Sequence, residues 1–215
     1  MINFHLPKIH VRAMPFDHYI IDDFFSDETF SVLRDFFDKT NEKISFIDKR
    51  KYDMFSFNID HIEELPEIYH EENKENVKIL RKQIPSTVSL VANKLDLSLE
   101  KVGTWQANFA RTSKGYESKI HLDTTWKVYS FVVYVGDKGD GTELYTGPNE
   151  EDFYTRVEWK PNRAILFQRS TETWHRVKNY LDDDRFALVL SLVSTPETKL
   201  YLPSHPTRKI IDDSL

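Results

Sequence analysis

His121 and Asp123 stand two residues apart, shortly before the apolar run KVYSFVVYV. Residues i and i+2 of a strand point to the same face, so the imidazole and the carboxylate could converge on one cation. The same spacing also arises by chance, as a solvated polar pair at a strand end. The pair by itself leaves both interpretations open.

His175, in the strand-like segment WHRVK, is a third candidate ligand. Four predicted strands lie between it and His121, enough to cross one sheet and return. Two histidines and one carboxylate, with the other coordination positions open, form the ligand set of non-haem Fe(II) oxygenases. The chain has no cysteine, so a metal would have to be held by histidine, carboxylate or carbonyl groups. The alternative for His175 is a histidine packed in the core.

Arg185 follows His175 by ten residues, at the first position of RFALVLSL. The polar segment NYLDDD between them predicts a turn, so we expect an antiparallel hairpin that brings Arg185 beside His175. A buried guanidinium near a metal would need an anionic partner. A dicarboxylate cosubstrate could chelate the metal with its keto-acid end and pair with Arg185 through its far carboxylate. The alternative is a solvated arginine paired with the aspartates at 182–184.

The elements that would position these residues change in type along the chain. A short strand is predicted around Tyr19 to Ile21, followed by a helix with Ser26 as its N-cap. Residues 71–96 predict helix, which Pro85 either kinks or divides in two. The apolar positions with helical spacing are Phe30, Leu33, Phe37, Val77, Leu80, Ile84, Val88, Val91 and Leu95. From Gly103 onward come eight short segments typical of strands: TWQANFAR, YESKIHL, KVYSFVVYV, TELYT, TRVEWK, RAILFQ, WHRVK and RFALVLSLV.

Helices first and strands later predict an α+β, mainly β fold, a sandwich or barrel with helices packed on one side. With 215 residues, 40% of them hydrophobic, the chain suits one domain. We expect a helical support region over residues 1–100, a β core over 101–198 and a tail over 199–215. A charged and aromatic excursion covers 45–70, and its part DKRKYDMFSFN is interpreted as a lid over the site.

Composition limits the classes of partner. The net charge of -6 is unlike the strongly basic face of a general nucleic-acid binder. No stretch approaches the ~20 apolar residues of a membrane span. The segment MINFHLPKIHVRAMPFDHYI lacks the charged start and apolar core of a signal peptide. We therefore expect a cytoplasmic protein without a nucleic-acid or membrane partner.

His121-Leu122-Asp123, His175 and Arg185 resemble the H-x-D…H…R-x-[SA] signature of the 2-oxoglutarate- and Fe(II)-dependent dioxygenases, in the branch that includes the prolyl 4-hydroxylases. The run KVYSFVVYVGDKGDGTELY is similar to that branch's strand and glycine-rich hairpin, with Tyr134 on its tyrosine. VEWKPNRAILFQ resembles the turn and strand before the distal histidine, and PFDHYIIDDFFSDETF resembles the N-terminal strand and helix. The resemblance covers most of the chain and is strongest over 103–195.

The resemblance implies a single oxygenase domain over 1–215, built as a double-stranded β-helix (jelly-roll or cupin-like) with N-terminal helices packed on one sheet. It implies Fe(II), 2-oxoglutarate and dioxygen, with ascorbate as a reductant. The activity would be hydroxylation of an unactivated C–H bond in a protein residue or small molecule, with release of succinate and carbon dioxide. The implied metal-binding and catalytic residues are His121, Asp123 and His175, and those of the 2-oxoglutarate pocket are Arg185, Tyr134 and Ser130.

Two alternatives remain at this point: a cupin-type metal enzyme that does not use 2-oxoglutarate, and a non-catalytic β-sandwich that binds a partner. Tyr134 could equally be a core residue. The collagen-type prolyl hydroxylases carry lysine where Arg185 stands, and Gly141-Thr142 replaces a common Gly-Gly pair, which puts peptidyl-proline specificity in question. Arg169 and Arg176 either line an anionic substrate pocket or are solvated. Aromatic residues predicted near the site are Trp126, Tyr145, Phe153, Tyr154 and Trp174. Of these, Trp174 adjoins His175 but by alternation should point to the other face of the strand, which favours core packing over substrate contact.

Overall fold

Ten strands and two helices form the described part of the chain, residues 5–44, 54–58 and 70–194 of the computed structural model. In chain order they are β1 (Lys8–Arg12), β2 (His18–Asp22), α1 (Asp27–Ile44), β3 (Met54–Asn58), α2 (His70–Lys94), β4 (Val102–Thr112), β5 (Lys127–Tyr134), β6 (Glu143–Tyr145), β7 (Phe153–Arg156), β8 (Ala164–Gln168), β9 (His175–Arg176) and β10 (Arg185–Ser194). A short 3-10 helix, Glu150–Asp152, precedes β7. The predicted α+β, mainly β fold is confirmed.

The strands form two antiparallel sheets. The major sheet has the order β1-β2-β8-β5-β10-β4-β3 and the minor sheet the order β7-β6-β9. Side chains from both sheets, among them Leu144 of β6 and Val132 of β5, meet in one buried apolar cluster. The two sheets therefore face each other, and the side of the major sheet that faces the minor sheet is its inner face.

Strand β5 shows how the sequence pattern assigns side chains to the two faces. Tyr129, Phe131 and Val133 belong to the apolar cluster that includes the helices. Val132 and Tyr134 belong to the cluster between the sheets. This alternation is the period of two that a strand imposes. It places Ser130 and Tyr134 on the same inner face, as the sequence predicts.

Both helices pack on the outer face of the major sheet. Helix α1 begins after Ser26, whose Oγ accepts a hydrogen bond from the backbone N–H of Thr29 at 3.2 Å, so the predicted N-cap is confirmed. The ring of Phe109 on β4 lies 4.6 and 5.2 Å from those of Phe36 and Phe37 on α1. All nine predicted helical positions are in this cluster or packed against it.

Pro85 does not start a second helix: α2 runs without interruption from His70 to Lys94. Apolar side chains on both sides of the proline, Leu80, Ile84 and Val88 among them, are buried in one cluster. These side chains can be buried together only if the helix is continuous. The free energy gained by their burial therefore offsets the loss of the backbone hydrogen bond that a proline cannot donate.

The predicted strand YESKIHL is only partly formed. It pairs with the chain near β9 through two isolated bridges, Glu117 with Lys178 and His121 with His175. Between them, the backbone N–H of Val177 donates to the hydroxyl of Ser118 at 3.0 Å instead of to a backbone carbonyl. The side chain therefore interrupts the ladder that a regular strand requires.

The predicted hairpin between the strands of His175 and Arg185 is wrong. Strand β9 pairs with β6 in the minor sheet, whereas β10 lies between β4 and β5 in the major sheet. β10 is buried on both faces, which suits a central strand. The segment 177–184 thus carries the chain from one sheet to the other.

The first hundred residues also supply three strands of the major sheet, β1, β2 and β3. The predicted division into support region, core and tail stays a prediction, and residues 195–215 lie outside the described residues. Of the proposed lid, 48–53 lies outside them too, while 54–58 is strand β3, paired with β4. No helix in the described ranges is both long enough and apolar enough to cross a bilayer.

Candidate metal centre and anion pocket

The fold brings His121, Asp123 and His175 together where β9 of the minor sheet lies beside the segment that precedes β5 of the major sheet. One potential ligand atom from each residue lies within 4.8 Å of the others. The two histidines form a backbone bridge, and their ring centroids are 4.5 Å apart. Within the described part of the chain, no other group of three such side chains converges in this way. The three residues singled out by the sequence therefore form one cluster.

The histidine tautomers suit a metal. Nδ1 of His121 lies 2.8 Å from the carbonyl oxygen of Lys119, and Nδ1 of His175 lies 2.8 Å from that of Thr173. A carbonyl oxygen only accepts, so each Nδ1 carries the hydrogen and each Nε2 keeps a free lone pair. Burial lowers the pKa of His175 to about 4, so this imidazole is neutral at pH 7.

Asp123 is buried and ionised. Its Oδ1 accepts from the ammonium of Lys127 at 2.6 Å, and its Oδ2 accepts from the hydroxyl of Ser130 at 2.5 Å. Burial by itself would raise the pKa of this carboxyl, but the charge of Lys127 and these hydrogen bonds hold the pKa well below its usual range. Two imidazoles and one carboxylate are a donor set that fits a divalent transition metal.

Arg185 lies on the same inner face and is only 1% exposed. Its Nε donates to the backbone carbonyl of Asp140 at 2.8 Å, while its Nη2 is buried without a hydrogen-bond partner among the described residues. Its guanidinium lies 5.8 Å from the ring centroid of Tyr134 and 5.4 Å from that of Trp159. A buried cationic donor without a partner calls for an anion.

Tyr134 forms one side of this pocket. Its hydroxyl accepts from the backbone N–H of Thr142 at 2.9 Å, and its ring stacks on Trp159 at 4.4 Å. The backbone at Gly141 lies so close to that of Val157 that no side chain fits, since an added Cβ would lie 1.7 Å from the carbonyl oxygen of Val157. Tyr134 is thus both a buried packing residue and a neighbour of Arg185. Ser130, the other predicted pocket residue, contacts Asp123 instead.

Arg176 is not solvated, and its charge is already paired with carboxylates. It follows His175 on β9 and therefore points to the opposite face of the minor sheet. There it is 4% exposed, with its Nε 2.6 Å from Glu143 and with further ion pairs to Glu117 and Glu150. Its charge is committed to carboxylates, and these contacts hold β9, and with it His175, against β6.

The sequence did not single out several contact residues. Lys127 follows Asp123 by four positions, a spacing that could have suggested an ion pair. Arg169, by contrast, is one of the two arginines considered above for an anionic substrate pocket. Its Nε donates a 3.3 Å hydrogen bond to the backbone carbonyl of Asp123. Asp140 and Trp159 had no distinguishing signal, because their roles depend on which strands become neighbours.

The aromatic residues predicted near the site lie in different environments. Tyr145 is buried and donates its hydroxyl to Glu143 at 2.8 Å. Phe153 and Tyr154 are each 48% exposed on β7. Trp174 is half-buried. None of these four makes a described ring contact with the triad; the aromatic ring that packs on His175 is that of Phe167, with centroids 4.8 Å apart.

The strand-rich second half of the chain is similar to a known protein family. Residues 107–191 match the model of the 2OG-Fe(II) oxygenase superfamily. Comparison with curated protein sequences gave no significant match.

Solved structures give the architecture. A Trichoplax adhaerens prolyl hydroxylase, solved with a hypoxia inducible factor oxygen degradation domain peptide fragment, is 17% identical, with a TM-score of 0.59 over 82% of this chain and 83% of its own. A Pseudomonas putida prolyl-4-hydroxylase is 14% identical, with a TM-score of 0.56 over 83% and 92%. The viral collagen prolyl hydroxylase of Paramecium Bursaria Chlorella virus-1, solved with 2-oxoglutarate, is 16% identical, with a TM-score of 0.52 over 83% and 96%. The two-sheet fold is therefore the double-stranded β-helix of these enzymes.

Proposed function

Because residues 107–191 match the model of the 2OG-Fe(II) oxygenase superfamily, we propose that the chain is an oxygenase of this superfamily and that it hydroxylates an unactivated C–H bond of a protein residue or a small molecule. Enzymes of this superfamily are oxidoreductases that use Fe(II), 2-oxoglutarate and dioxygen. We assign His121, Asp123 and His175 as the iron ligands and Arg185 as the partner of the far carboxylate of 2-oxoglutarate. An ascorbate requirement stays a prediction.

One observation carries the assignment: a triad fit for a divalent metal and an unpartnered buried guanidinium lie on the same inner face. Strand β5 connects them, since Ser130 contacts Asp123 and Tyr134 lies against Arg185. Four residues of strand correspond to roughly 13 Å. This span suits a metal ion followed by a short dicarboxylate. A cupin-type metal site without 2-oxoglutarate would leave the buried arginine unexplained.

The protein's part in the chemistry is positioning. When bound, Fe(II) and 2-oxoglutarate would supply an oxidative decarboxylation by dioxygen, in which one oxygen atom enters succinate, carbon dioxide leaves and the other oxygen atom enters the substrate. Nε2 of each histidine and one oxygen of Asp123 would hold the ion, and the protein offers no fourth ligand among the described residues. Ser130 and Lys127 fix the orientation of Asp123. Tyr134 and Trp159 keep water away from Arg185, so its pairing with a carboxylate is strong.

Peptidyl proline is the first candidate substrate, because three enzymes that share the fold are prolyl hydroxylases. The arginine at 185 distinguishes this chain from the collagen-type enzymes. The substrate test is a screen for succinate release with proline-containing peptides and with small metabolites. Stimulation by a proline peptide supports the first candidate, and stimulation only by metabolites excludes it. The cytoplasmic location stays a prediction.

The cofactor test is anaerobic titration of the folded protein with Fe(II) and 2-oxoglutarate. We expect the weak visible charge-transfer band of an iron–keto-acid chelate. The band should be absent in His175→Ala and should need more 2-oxoglutarate in Arg185→Ala. A folded wild-type protein that never shows the band would refute the proposed function. Iron binding without any response to 2-oxoglutarate would favour the cupin-type alternative, and binding of neither would favour a non-catalytic module.

A further inference from the structure

Arg185 has a single described hydrogen bond within the protein, from Nε to the backbone carbonyl of Asp140. That carbonyl belongs to the loop between β5 and β6. Where it lies decides where the unpartnered Nη2 points, because a guanidinium is planar and rigid. The position of the loop is therefore part of the anion pocket.

The side chain of Asp140 fixes this loop from two directions. Its Oδ1 accepts from Nη1 of Arg156 on β7 at 3.0 Å, and its Oδ2 accepts from the backbone N–H of Tyr180 at 2.7 Å. Tyr180 lies in the segment that crosses from the minor to the major sheet. The carboxylate is only 12% exposed, whereas its two partners are at the surface, with the side chain of Arg156 35% exposed. One residue thus binds Arg185 through its carbonyl and two other elements through its carboxylate.

The two partners of Asp140 are themselves held in place. The guanidinium of Arg156 lies 4.2 Å over the ring of Tyr180. Both side chains also bond to Glu143, Arg156 through Nη2 at 2.7 Å and Tyr180 through its hydroxyl at 2.9 Å. Asp140 is therefore hydrogen-bonded to a connected polar cluster on the outer face of the minor sheet.

The ends of the loop have separate attachments. Trp159 donates its indole N–H to the carbonyl of Gly136 at 2.9 Å, and Tyr134 bonds to Thr142. Loss of the Asp140 carboxylate would leave these ends in place and release only the middle of the loop. We expect such a change to affect the pocket more than the fold.

We propose that Asp140 is a positioning residue that sets the affinity for 2-oxoglutarate by holding Arg185 in place. This inference rests on the proposed function, because it takes 2-oxoglutarate as the anion that Arg185 binds. Asp140 itself touches neither the metal ligands nor, on this arrangement, the cosubstrate. A residue that only stabilised the fold would change metal binding and thermal stability as much as 2-oxoglutarate binding.

The experiment measures two affinities on the same protein. Mn(II) binding is measured by electron paramagnetic resonance, and 2-oxoglutarate binding to the Mn(II)-loaded protein by calorimetry and by tryptophan fluorescence, since Trp159 lies beside Arg185. The variants are Asp140→Ala and Asp140→Asn. The matched control is Asp137→Asn, an exposed aspartate of the same loop that pairs with Arg34 on α1.

We expect Asp140→Ala to weaken 2-oxoglutarate binding by about tenfold, because two charge-assisted hydrogen bonds are lost. Asp140→Asn keeps an acceptor for the N–H of Tyr180, so its loss should be smaller. Mn(II) affinity should stay within about twofold in all variants, and the control should match the wild type. If Asp140→Ala does not fold, Asp140→Asn decides by the same comparison.

Two results would overturn the inference: unchanged 2-oxoglutarate affinity in the folded variants, or equal losses of Mn(II) and 2-oxoglutarate affinity. Either result leaves the proposed function standing as long as the wild type binds 2-oxoglutarate and Arg185→Ala binds it more weakly. A wild-type protein that does not bind 2-oxoglutarate refutes the proposed function and the inference with it.

Discussion

His121 and His175 face each other across an antiparallel bridge in which each donates its backbone N–H to the other's carbonyl at 3.0 Å. The bridge joins the irregular segment before β5 to the short strand β9. Side chains of directly opposed residues leave the backbone on the same side. Backbone pairing, with Nδ1 of each ring held by a carbonyl, therefore presets the two imidazoles for a shared ion.

Replacement of His175 by alanine should abolish tight metal binding. We expect Mn(II) affinity to fall by at least about 100-fold, because even the loss of an outer-shell partner lowers affinity by 10–100-fold. Titration followed by electron paramagnetic resonance measures this. His18→Gln is the control, since His18 is also buried and its Nδ1 also contacts a carbonyl two residues earlier, that of Phe16. Equal affinity in His175→Ala and the wild type would remove His175 from the ligand set.

Ser130 and Ser191 form a matched pair for testing whether a hydrogen bond to Asp123 strengthens metal binding. They lie directly opposite each other on β5 and β10, and both are buried. The hydroxyl of Ser130 donates to Asp123, whereas that of Ser191 has no partner among the described residues. Ser130→Ala should lower Mn(II) affinity by about tenfold, and Ser191→Ala should leave it unchanged. Similar affinities in the two variants would contradict a positioning role for Ser130.

Arg185→Met should separate stability from ligand binding. Without 2-oxoglutarate, the variant should unfold at the same temperature as the wild type or higher, because an unpaired buried charge is replaced by an apolar side chain. Added 2-oxoglutarate should raise the melting temperature of the wild type only. Differential scanning calorimetry with and without the ligand measures both effects.

Arg163→Met is the control for the Arg185 experiment. Arg163 is also largely buried, but it is paired with Asp22 at 2.6 Å. Its replacement removes the two hydrogen bonds that it donates to that carboxylate, leaves only the longer contact with Lys160 at 3.5 Å and that with His10 at 3.9 Å, and should lower the melting temperature. If Arg185→Met is destabilised to the same extent, the guanidinium of Arg185 is compensated in the free protein and the pocket assignment loses its basis.

Glu143 should make the stability of the fold sensitive to acid. Burial alone would raise the pKa of its carboxyl, but hydrogen bonds from Arg176 and Arg156 outweigh it and lower the pKa to about 2, from 4.5 in the unfolded chain. The stabilisation is therefore fully present above about pH 5, declines as the pH falls below 4.5, and is lost below about pH 2. Its size is on the order of 3 kcal/mol.

Urea unfolding of the wild type and Glu143→Gln at pH 7, 5 and 3 tests this expectation. The variant should be clearly less stable at pH 7, and the difference in the free energy of unfolding should narrow at pH 3. Glu158→Gln is the control, because Glu158 is 84% exposed on its side chain and its pairing with Arg163 should be worth less than about 1 kcal/mol. A difference for Glu143→Gln that is constant with pH would show that its carboxylate is not held ionised.

Local patterns in the sequence predict which side chains of each element are buried. The period of two in KVYSFVVYV assigned Ser130 and Tyr134 to one face, and the helical period identified the buried faces of α1 and α2. Burial of apolar side chains dominates folding, and its periodicity is written in consecutive residues. The resemblance added the identity of the three clustered residues, whose convergence the fold displays.

The sequence by itself therefore determined the types of element, the faces they bury and the residues that meet at the site. Only the tertiary structure decided the partners: β9 with β6 rather than β10, Arg176 with Glu143 rather than an anion, and Ser130 with Asp123. It also decided that Nη2 of Arg185 is buried without a partner. Pairing and desolvation depend on contacts between residues far apart in the chain, and no local pattern encodes which of the available partners a strand or a charge will find.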